Sequence, residues 1–294
     1  MKEFKDKVAV ITGAGSGIGL AIARRCVQER MKVVLADVEQ DALTGAEKEL
    51  TALGGTVLPV LTDVSSADQV EALARKTINT FGGVHLLCNN AGVAADGTIW
   101  ECSVADWDWV IGVNLWGVLN GIRTFVPIML SQDTEGHVVN TASTAGILPY
   151  HPGASYHVTK HAVVALSENL YRSLGERGAK IKTSVLCPGF VKTRILSSLR
   201  NRPAELRVKS SPIPLSTEAE EAAWAYLEKN QFKVLSTSQV ADMVFTAIRE
   251  GKFYILTHPE FNEVVRKRME AIIQGQNPEI KPLSFKRDQA HTQQ

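Results

Sequence analysis

The sequence predicts a single α/β domain whose doubly wound parallel sheet of about seven strands is flanked by helices. Two observations predict this fold class. Short apolar runs alternate with amphipathic stretches along the first two-thirds of the 294-residue chain, as in strands joined by crossover helices. A content of 45% hydrophobic residues is enough to build one large core. We therefore expect residues 1–274 to form one domain.

Strands are predicted where apolar residues occupy both faces of a run, as in the interior of a parallel sheet. These runs cover residues 7–12, 32–37, 56–64, 84–90, 137–143, 181–189 and 252–258. Helical spacing predicts the intervening helices, most clearly at 66–81, where Ser66 and Gln69 are placed for a capping box. The same pattern predicts later helices at 238–251 and 260–273.

Residues 193–229 interrupt this rhythm by mixing proline, serine and charge with short helical pieces. Such composition is typical of a mobile surface segment, and we expect it to cover a substrate. Residues 275–294 are polar, include two prolines and are expected to form a flexible tail.

Amino-acid composition limits the kinds of molecule and metal that the protein is expected to bind. Lys and Arg total 32 against 31 for Asp and Glu, so charge gives no reason to expect nucleic acid or an anionic membrane. The start of the chain lacks a signal-like apolar stretch, and we expect a cytoplasmic location. Four scattered cysteines without a CxxC motif fit reduced thiols. No metal is expected, because His151, His157 and His161 have no carboxylate at ligand spacing.

The first strand runs directly into TGAGSGIG, residues 12–19. Glycines let a backbone turn tightly and approach a ligand, and the N-terminus of the following helix attracts phosphate. A plain tight turn is the alternative for such a loop alone. Its position between a strand and a helix favours a pyrophosphate site, formed by Gly13, Gly15, Ser16, Gly17, Ile18 and Gly19.

Asp37 ends the second strand, where dinucleotide folds place an acid against the adenosine ribose. The alternative is that Asp37 caps the next helix. Neither Ser16 nor Val38 carries the positive charge that the 2′-phosphate of NADP would need. NAD is therefore the favoured cofactor.

Seven stretches in this order resemble the classical short-chain dehydrogenase/reductase family, whose fold is Rossmann-like. The resemblance covers about residues 5–260. The stretches are TGAGSGIG, DV at 63–64, NNAG at 89–92, GVNLWG around Asn114, NTASTAG around Ser143, YHVTK at 156–160 and PGFVKT at 188–193.

The resemblance implies a cofactor site beyond the glycine loop. In the family, residues like Asp63 and Val64 flank the adenine, and the stretch after residue 188 passes beside the nicotinamide. The implied cofactor residues are Asp37, Val38, Asp63, Val64, Asn90, Ala91, Gly92, Tyr156, Lys160, Pro188, Gly189, Val191 and Thr193.

Tyr156 and Lys160 lie four residues apart, so a helix would place them on one face. A neighbouring cation favours phenolate and makes tyrosine a usable general base. Ser143 follows the fifth strand and can hydrogen-bond the reacting oxygen. The resemblance implies that Lys160 also holds the nicotinamide ribose and that Asn114 orders a proton-relaying water. Taken one by one, each residue also has an ordinary structural explanation.

Candidate substrate-binding residues are mostly apolar, which favours a medium-sized secondary alcohol or ketone. They are Ala94, Ala95, Ser143, Ala145, Tyr150, Phe190 and Leu196. The tryptophans Trp107, Trp109 and Trp116 are interpreted as packing or subunit contacts. The resemblance implies a homo-oligomer, commonly a tetramer joined by helices near 105–130 and 153–177.

Three functions fit these observations. The favoured one is an NAD-dependent alcohol dehydrogenase or ketone reductase. An NADP-dependent carbonyl reductase and a nucleotide-sensing binding protein without turnover are the alternatives. Asp37 argues against the first alternative, and the complete set of four catalytic residues argues against the second.

Overall fold

Seven parallel strands form one sheet in the computed structural model, which describes residues 1–95, 97–149, 153–207 and 215–278. The sheet order is β3-β2-β1-β4-β5-β6-β7, so the predicted doubly wound, Rossmann-like single domain is confirmed. The strands are β1 (Val8–Thr12), β2 (Lys32–Asp37), β3 (Thr56–Leu61), β4 (Leu86–Asn89), β5 (Gly136–Thr141), β6 (Ile181–Cys187) and β7 (Tyr254–Leu256).

Helices cover both faces of the sheet. On one face α1, α2 and α8 bury Ile22, Leu43 and Phe245, and on the other α3, α5 and α6 bury residues such as Leu73 and Phe125. The helices are α1 (Gly17–Gln28), α2 (Gln40–Ala52), α3 (Ala67–Phe81), α4 (Val104–Ile111), α5 (Gly117–Ser131), α6 (Ala154–Glu176), α7 (Thr217–Lys229), α8 (Thr237–Glu250) and α9 (Asn262–Ile273).

A π-helical turn, Gly112–Trp116, joins α4 and α5 into one continuous helix. This helix, Val104–Ser131, is long and apolar enough to cross a membrane by length and composition. The same composition suits a core helix, and its residues Phe125 and Met129 are fully packed between the sheet and α3.

The strand order reverses direction at β1. Ile11 pairs with Leu35 of β2 on one side and with Cys88 of β4 on the other. Crossovers leave β1 in opposite directions, so the loops that follow β1 and β4 separate and open a crevice at the carboxyl ends of the strands. Every predicted site motif lies at or beside this edge.

Some predicted boundaries differ from the structure. The third strand ends at Leu61 and not at residue 64, because the Asp63 carboxylate accepts hydrogen bonds from the Ser65 backbone and hydroxyl and turns the chain. At α3 only half of the predicted capping box forms. Ser66 Oγ accepts the Gln69 N–H, whereas the Gln69 side-chain oxygen accepts the N–H of Asp63.

Candidate active site

A cleft of about 450 Å³ lies at the carboxyl edge of the sheet, across the point where the strand order reverses. It is lined by residues from every motif singled out in the sequence, including the glycine loop, Asp37, Asp63, Ser143 and Tyr156. A doubly wound fold holds its ligand at this position.

The glycine loop forms one wall of the cleft. Gly13 and Gly17 have φ of 62° and 57°, a left-handed conformation that side chains disfavour. The loop leads into the N-terminus of α1, whose first turn has no side-chain cap and no acidic residue. Uncapped N–H groups at a helix N-terminus suit a pyrophosphate, so the residues present fit the predicted dinucleotide.

Not every predicted loop residue lines the cleft. Gly13, Ser16, Gly17 and Ile18 do so, whereas Gly15 and Gly19 do not. A Cβ at Gly19 would lie 2.1 Å from the carbonyl oxygen of Gly13, so this glycine allows α1 to pack against the loop. Gly15 instead donates its N–H to Asp37 Oδ2 at 2.8 Å.

Asp37 lines the cleft at the end of β2. One carboxylate oxygen accepts the N–H of Gly15, and the other accepts the N–H of Glu39 at 3.0 Å. Helix α2 begins at Gln40 with Glu39 as its N-cap residue. Asp37 therefore ties the glycine loop to the β2–α2 turn and is not the cap of α2.

Glu39 brings two cations to the same wall of the cleft. Its carboxylate lies 2.7 Å from Arg200 Nη2 and 3.7 Å from Arg194 Nη1, and Asn201 donates to it at 2.9 Å. Burial alone would raise the pKa of Glu39, but the hydrogen bonds from Arg200 and Asn201 outweigh burial and lower that pKa. The positive charge near Asp37 thus comes from the guanidinium groups of Arg194 and Arg200, which are far from Asp37 in the sequence.

Asn90 joins the glycine loop to two central strands. Its Nδ2 donates to the carbonyl oxygens of Thr12 and Gly13, and its Oδ1 accepts from the Thr141 hydroxyl. The remaining predicted residues of this region, which are Val38, Asp63, Val64, Ala91, Gly92, Pro188, Gly189, Val191 and Thr193, all line the cleft.

Ser143, Tyr156 and Lys160 all line the cleft. Lys160 Nζ lies 5.4 Å from the centroid of the Tyr156 ring and donates to the Thr141 carbonyl at 3.0 Å. Burial lowers the pKa of Lys160 to about 8. Ser143 Oγ donates to the Pro188 carbonyl at 3.3 Å and accepts the N–H of Ala145.

Asn114 lies in the π-helical turn and does not line the cleft. Its Oδ1 accepts the N–H of Val93 at 2.8 Å, and its Nδ2 donates to the Val93 carbonyl and to Thr159 Oγ1. A Cβ at Gly92 would lie 3.3 Å from Lys160 Nζ and 3.5 Å from Asn114 Oδ1. The Asn114 amide therefore holds the Val93 loop beside Lys160.

The predicted substrate wall is largely assembled. Ala94, Ala95, Phe190 and Leu196 line the cleft together with Ser143. Ala145 does not line the cleft, because the 3-10 turn Thr144–Gly146 directs it inward, where it is fully buried. Tyr150 lies outside the described residues.

Several wall residues are absent from the predicted set. They are Trp109, His157, Ser198, Pro203, Leu206 and Trp224. Trp109 is only 3% exposed and lies under the guanidinium of Arg202, so it packs as interpreted and also faces the cleft. No sequence signal marks Ser198, Pro203, Leu206 and Trp224, because their place depends on how the segment after Thr193 folds back. His157 directly follows Tyr156 in YHVTK, and that position is the signal that could have found it.

Besides the contacts to Glu39, that segment is held by further hydrogen bonds and an ion pair. Ser198 Oγ accepts the N–H of Ala94 at 2.9 Å and donates to the Ala94 carbonyl. Arg202, nearly fully buried, pairs with Asp106 at the start of α4. Trp224 Nε1 donates to the Thr193 carbonyl at 3.2 Å, which places α7 behind the cleft.

Across the described ranges no group of three or more His, Cys, Asp or Glu side chains could hold a metal ion. Cys26, Cys88 and Cys187 are buried free thiols, and the pKa of the Cys88 thiol is raised by burial to about 12.

Comparison with known proteins identifies the family to which this chain belongs. The model of the short chain dehydrogenase family matches residues 7–204. The chain belongs to the short chain dehydrogenase family. Its fold is similar to that of a short chain dehydrogenase/reductase of Burkholderia phymatum in complex with NAD, at 48% identity and a TM-score of 0.89 over 97% of this chain and 100% of that one.

Other members of the short chain dehydrogenase family are also similar. The CLA biosynthesis dehydrogenase/reductase of Lactiplantibacillus plantarum is 35% identical over 95% of this chain and 98% of its own length. An actinorhodin polyketide ketoreductase with NADPH is 30% identical, with a TM-score of 0.73 over 87% of this chain and 97% of that one. The chain is therefore an oxidoreductase of this family.

Proposed function

We propose that this protein is an NAD-dependent dehydrogenase that oxidises a secondary alcohol, or reduces the matching ketone, with Tyr156 as the general acid/base. The observation that supports it most directly is the buried Lys160 ammonium, 5.4 Å from the Tyr156 ring, in the same cleft as the glycine loop. A cation in this position favours the phenolate.

Tyr156 takes the proton in the oxidative direction. With a pKa of about 8, Lys160 is still mostly charged near neutral pH, and its charge favours the phenolate form of Tyr156. The phenolate removes the proton of the substrate hydroxyl, and in reverse the phenol returns it. When bound, the oxidised nicotinamide supplies the acceptor for the hydride that leaves the carbinol carbon.

Ser143 holds the reacting oxygen. Its hydroxyl lies at the C-terminal end of β5, where the Ala145 N–H and the Pro188 carbonyl fix its oxygen. Rotation about the C–O bond redirects its hydrogen toward a substrate oxygen. A hydrogen-bond donor that already faces the oxygen on which negative charge develops stabilises the transition state, because the protein does not have to rearrange during the reaction. Asn114 contributes by keeping the Val93 loop against Lys160.

NAD is the proposed cofactor because of Asp37 and Glu39. A carboxylate beside the ribose accepts hydrogen bonds from two hydroxyls but repels a 2′-phosphate. At about 4 Å and an effective dielectric near 20 this repulsion is about 4 kcal/mol before screening. Even reduced several-fold, it favours NAD by about one to three orders of magnitude in kcat/KM.

An NADP-dependent carbonyl reductase is the second candidate. Arg194 and Arg200 line the cleft near Asp37, and guanidinium groups recognise phosphate well. Both are paired with Glu39, which is why we favour NAD. A nucleotide sensor without turnover would have no need of Ser143, Tyr156 and Lys160 in one cleft.

The substrate is proposed to be apolar and of medium size. The lining of the cleft includes the apolar residues Ala94, Trp109, Phe190, Leu196 and Leu206, which favours hydrocarbon or aromatic substituents on the carbinol carbon. We also propose a homo-oligomer formed through the outer faces of α6 and of the continuous helix Val104–Ser131, where Val158 and Trp116 are about half exposed.

The experiment that tests this function is a panel of secondary alcohols and ketones, assayed with NAD(H) and with NADP(H) by the absorbance of the reduced nicotinamide. We expect turnover of apolar secondary alcohols with a clear preference for NAD. Equal use of both cofactors would show that Asp37 does not select the ribose. No turnover, with NAD still bound, would favour the sensor.

A further inference from the structure

The peptide unit between Pro188 and Gly189 is hydrogen-bonded on both sides. Its carbonyl oxygen accepts the N–H of Thr144 at 2.8 Å and the hydroxyl of Ser143 at 3.3 Å. Its N–H, from Gly189, points away toward the end of β7 and lies 3.2 Å from both His258 Nδ1 and Thr257 Oγ1. Because a peptide is planar, whatever fixes this N–H also fixes the carbonyl that holds Ser143.

His258 has a defined tautomer. Its Nε2 lies 3.0 Å from the Lys233 carbonyl oxygen, and a carbonyl can only accept, so Nε2 carries the hydrogen. Nδ1 is then an acceptor, and it faces the Gly189 N–H and the Thr257 hydroxyl, the latter at 2.6 Å. With the ring 2% exposed, both ring nitrogens are satisfied inside the protein.

The ring thereby bridges two stretches that meet beside the cleft. Leu235, two residues after Lys233, donates to the Phe190 carbonyl at 2.9 Å and accepts the N–H of Lys192 at 3.0 Å. A Cβ at Gly189 would lie 2.7 Å from His258 Cγ, so only glycine lets the ring approach. His258 itself does not line the cleft.

We propose that His258 is a positioning residue for the nicotinamide half of the cofactor site and for Ser143, acting through the Pro188–Gly189 peptide. This inference rests on the proposed function, because it assigns the stretch from Pro188 to Thr193 to the nicotinamide. The adenosine half, at Asp37 and Asp63, is held by other contacts and does not depend on His258.

The test compares NAD with ADP-ribose, which lacks only the nicotinamide ring, by titration calorimetry. His258→Phe keeps an aromatic ring and removes the hydrogen bonds to Lys233, Thr257 and Gly189. We expect NAD affinity to fall by about ten- to a hundredfold, the size expected for one or two lost hydrogen bonds, while ADP-ribose affinity stays within about twofold. His258→Gln keeps an acceptor and a donor and should recover most of the NAD affinity.

His137→Phe is the matched control. His137 is also a buried histidine, hydrogen-bonded to Ser184 at 2.7 Å, but it lies at the start of β5, at the opposite end of the sheet from Ser143. Its replacement should lower thermal stability and leave the NAD to ADP-ribose affinity ratio unchanged. Should the His258→Phe protein fail to fold, His258→Asn takes its place. The shorter Asn side chain can reach either the Lys233 carbonyl or the Gly189 N–H but not both. We therefore expect an intermediate loss of NAD affinity.

The outcomes separate the two proposals. Selective loss of NAD affinity in the His258 variants, with recovery in His258→Gln, supports the positioning role. Equal loss for both ligands, loss for neither, or the same ratio change in His137→Phe overturns it while the proposed function stands. If the unmodified protein binds neither NAD nor ADP-ribose, the proposed function fails and the positioning role fails with it.

Discussion

Lys160 carries the clearest energetic signature at the scale of single residues. Burial lowers the pKa of this ammonium from 10.5 to about 8. Below about pH 8 the buried charge therefore destabilises the folded protein. Between about pH 8 and pH 10.5 the unfolded chain binds a proton that the folded chain does not, and stability rises with pH. Above about pH 10.5 Lys160 is neutral in both the folded and the unfolded chain, so burying it no longer destabilises the fold.

Lys160→Met should therefore stabilise the cofactor-free protein while abolishing its activity. We expect the free energy of unfolding at about pH 7 to rise by about 1–3 kcal/mol, after allowing for the lost hydrogen bond to Thr141. The gain should shrink as the pH approaches 10. Urea denaturation measures it, with the exposed Lys192→Met as the control. If the variant were less stable than the parent near neutral pH, burial of the charged Lys160 would not be destabilising, and the prediction would be wrong.

Glu39→Gln tests the charge balance around Asp37. The substitution weakens the hold on Arg194 and Arg200 and leaves two guanidinium groups beside the ribose end of the cleft. We expect kcat/KM with NADP to rise about tenfold, the effect of about 1.4 kcal/mol. Adding Arg200→Gln should remove most of the gain. An unchanged NADP rate in Glu39→Gln would mean that these arginines do not reach the phosphate.

At the scale of elements, the segment after Thr193 determines the shape of the cleft. Its 3-10 turns, Ile195–Asn201 and Ala204–Leu206, have little regular hydrogen bonding of their own. They are held by side-chain contacts to Ala94, Glu39 and Asp106. Such an element opens locally at low cost, and NAD with a substrate analogue should protect it from hydrogen exchange.

Ser198→Ala removes both hydrogen bonds to Ala94. We expect amide exchange across residues 195–206 to accelerate by about tenfold, as the loss of about 1–2 kcal/mol of local stability implies. Exchange in β5 should be unaffected. Ser131→Ala removes a comparable hydroxyl at the far end of α5 and should leave this segment unchanged. Equal exchange in the Ser198 variant and the parent would show that Ser198 is not a fastening point.

At the scale of the whole molecule, sequence pattern was sufficient for the sheet and for most of the cleft. Parallel strands end at one edge, so motifs that follow β1, β4, β5 and β6 had to converge. The Glu39–Arg200 and Ala94–Ser198 contacts join residues 161 and 104 positions apart. Neither periodicity nor motif spacing carries such information, because these contacts depend on the path of an irregular segment.

Local geometry also limited prediction at short range. Ala145 is two residues from Ser143, yet the 3-10 turn that Ser143 caps directs it into the core. Asp37 fits both a ribose ligand and a helix cap by position alone, and only the structure, in which Glu39 is the N-cap of α2, excludes the cap. The family motifs predict most of the side chains that line the cleft, but not how each is held.

The central claim is that Tyr156 transfers the proton while Lys160 and Ser143 support it. Its most direct test is the single-turnover rate of alcohol oxidation by Tyr156→Phe with NAD bound, followed by the absorbance of the reduced nicotinamide across pH. We expect the rate to fall by about 10²–10⁴-fold, with NAD affinity nearly unchanged and the rise of rate with pH abolished. Near-normal oxidation with the parent's pH profile would contradict the claim.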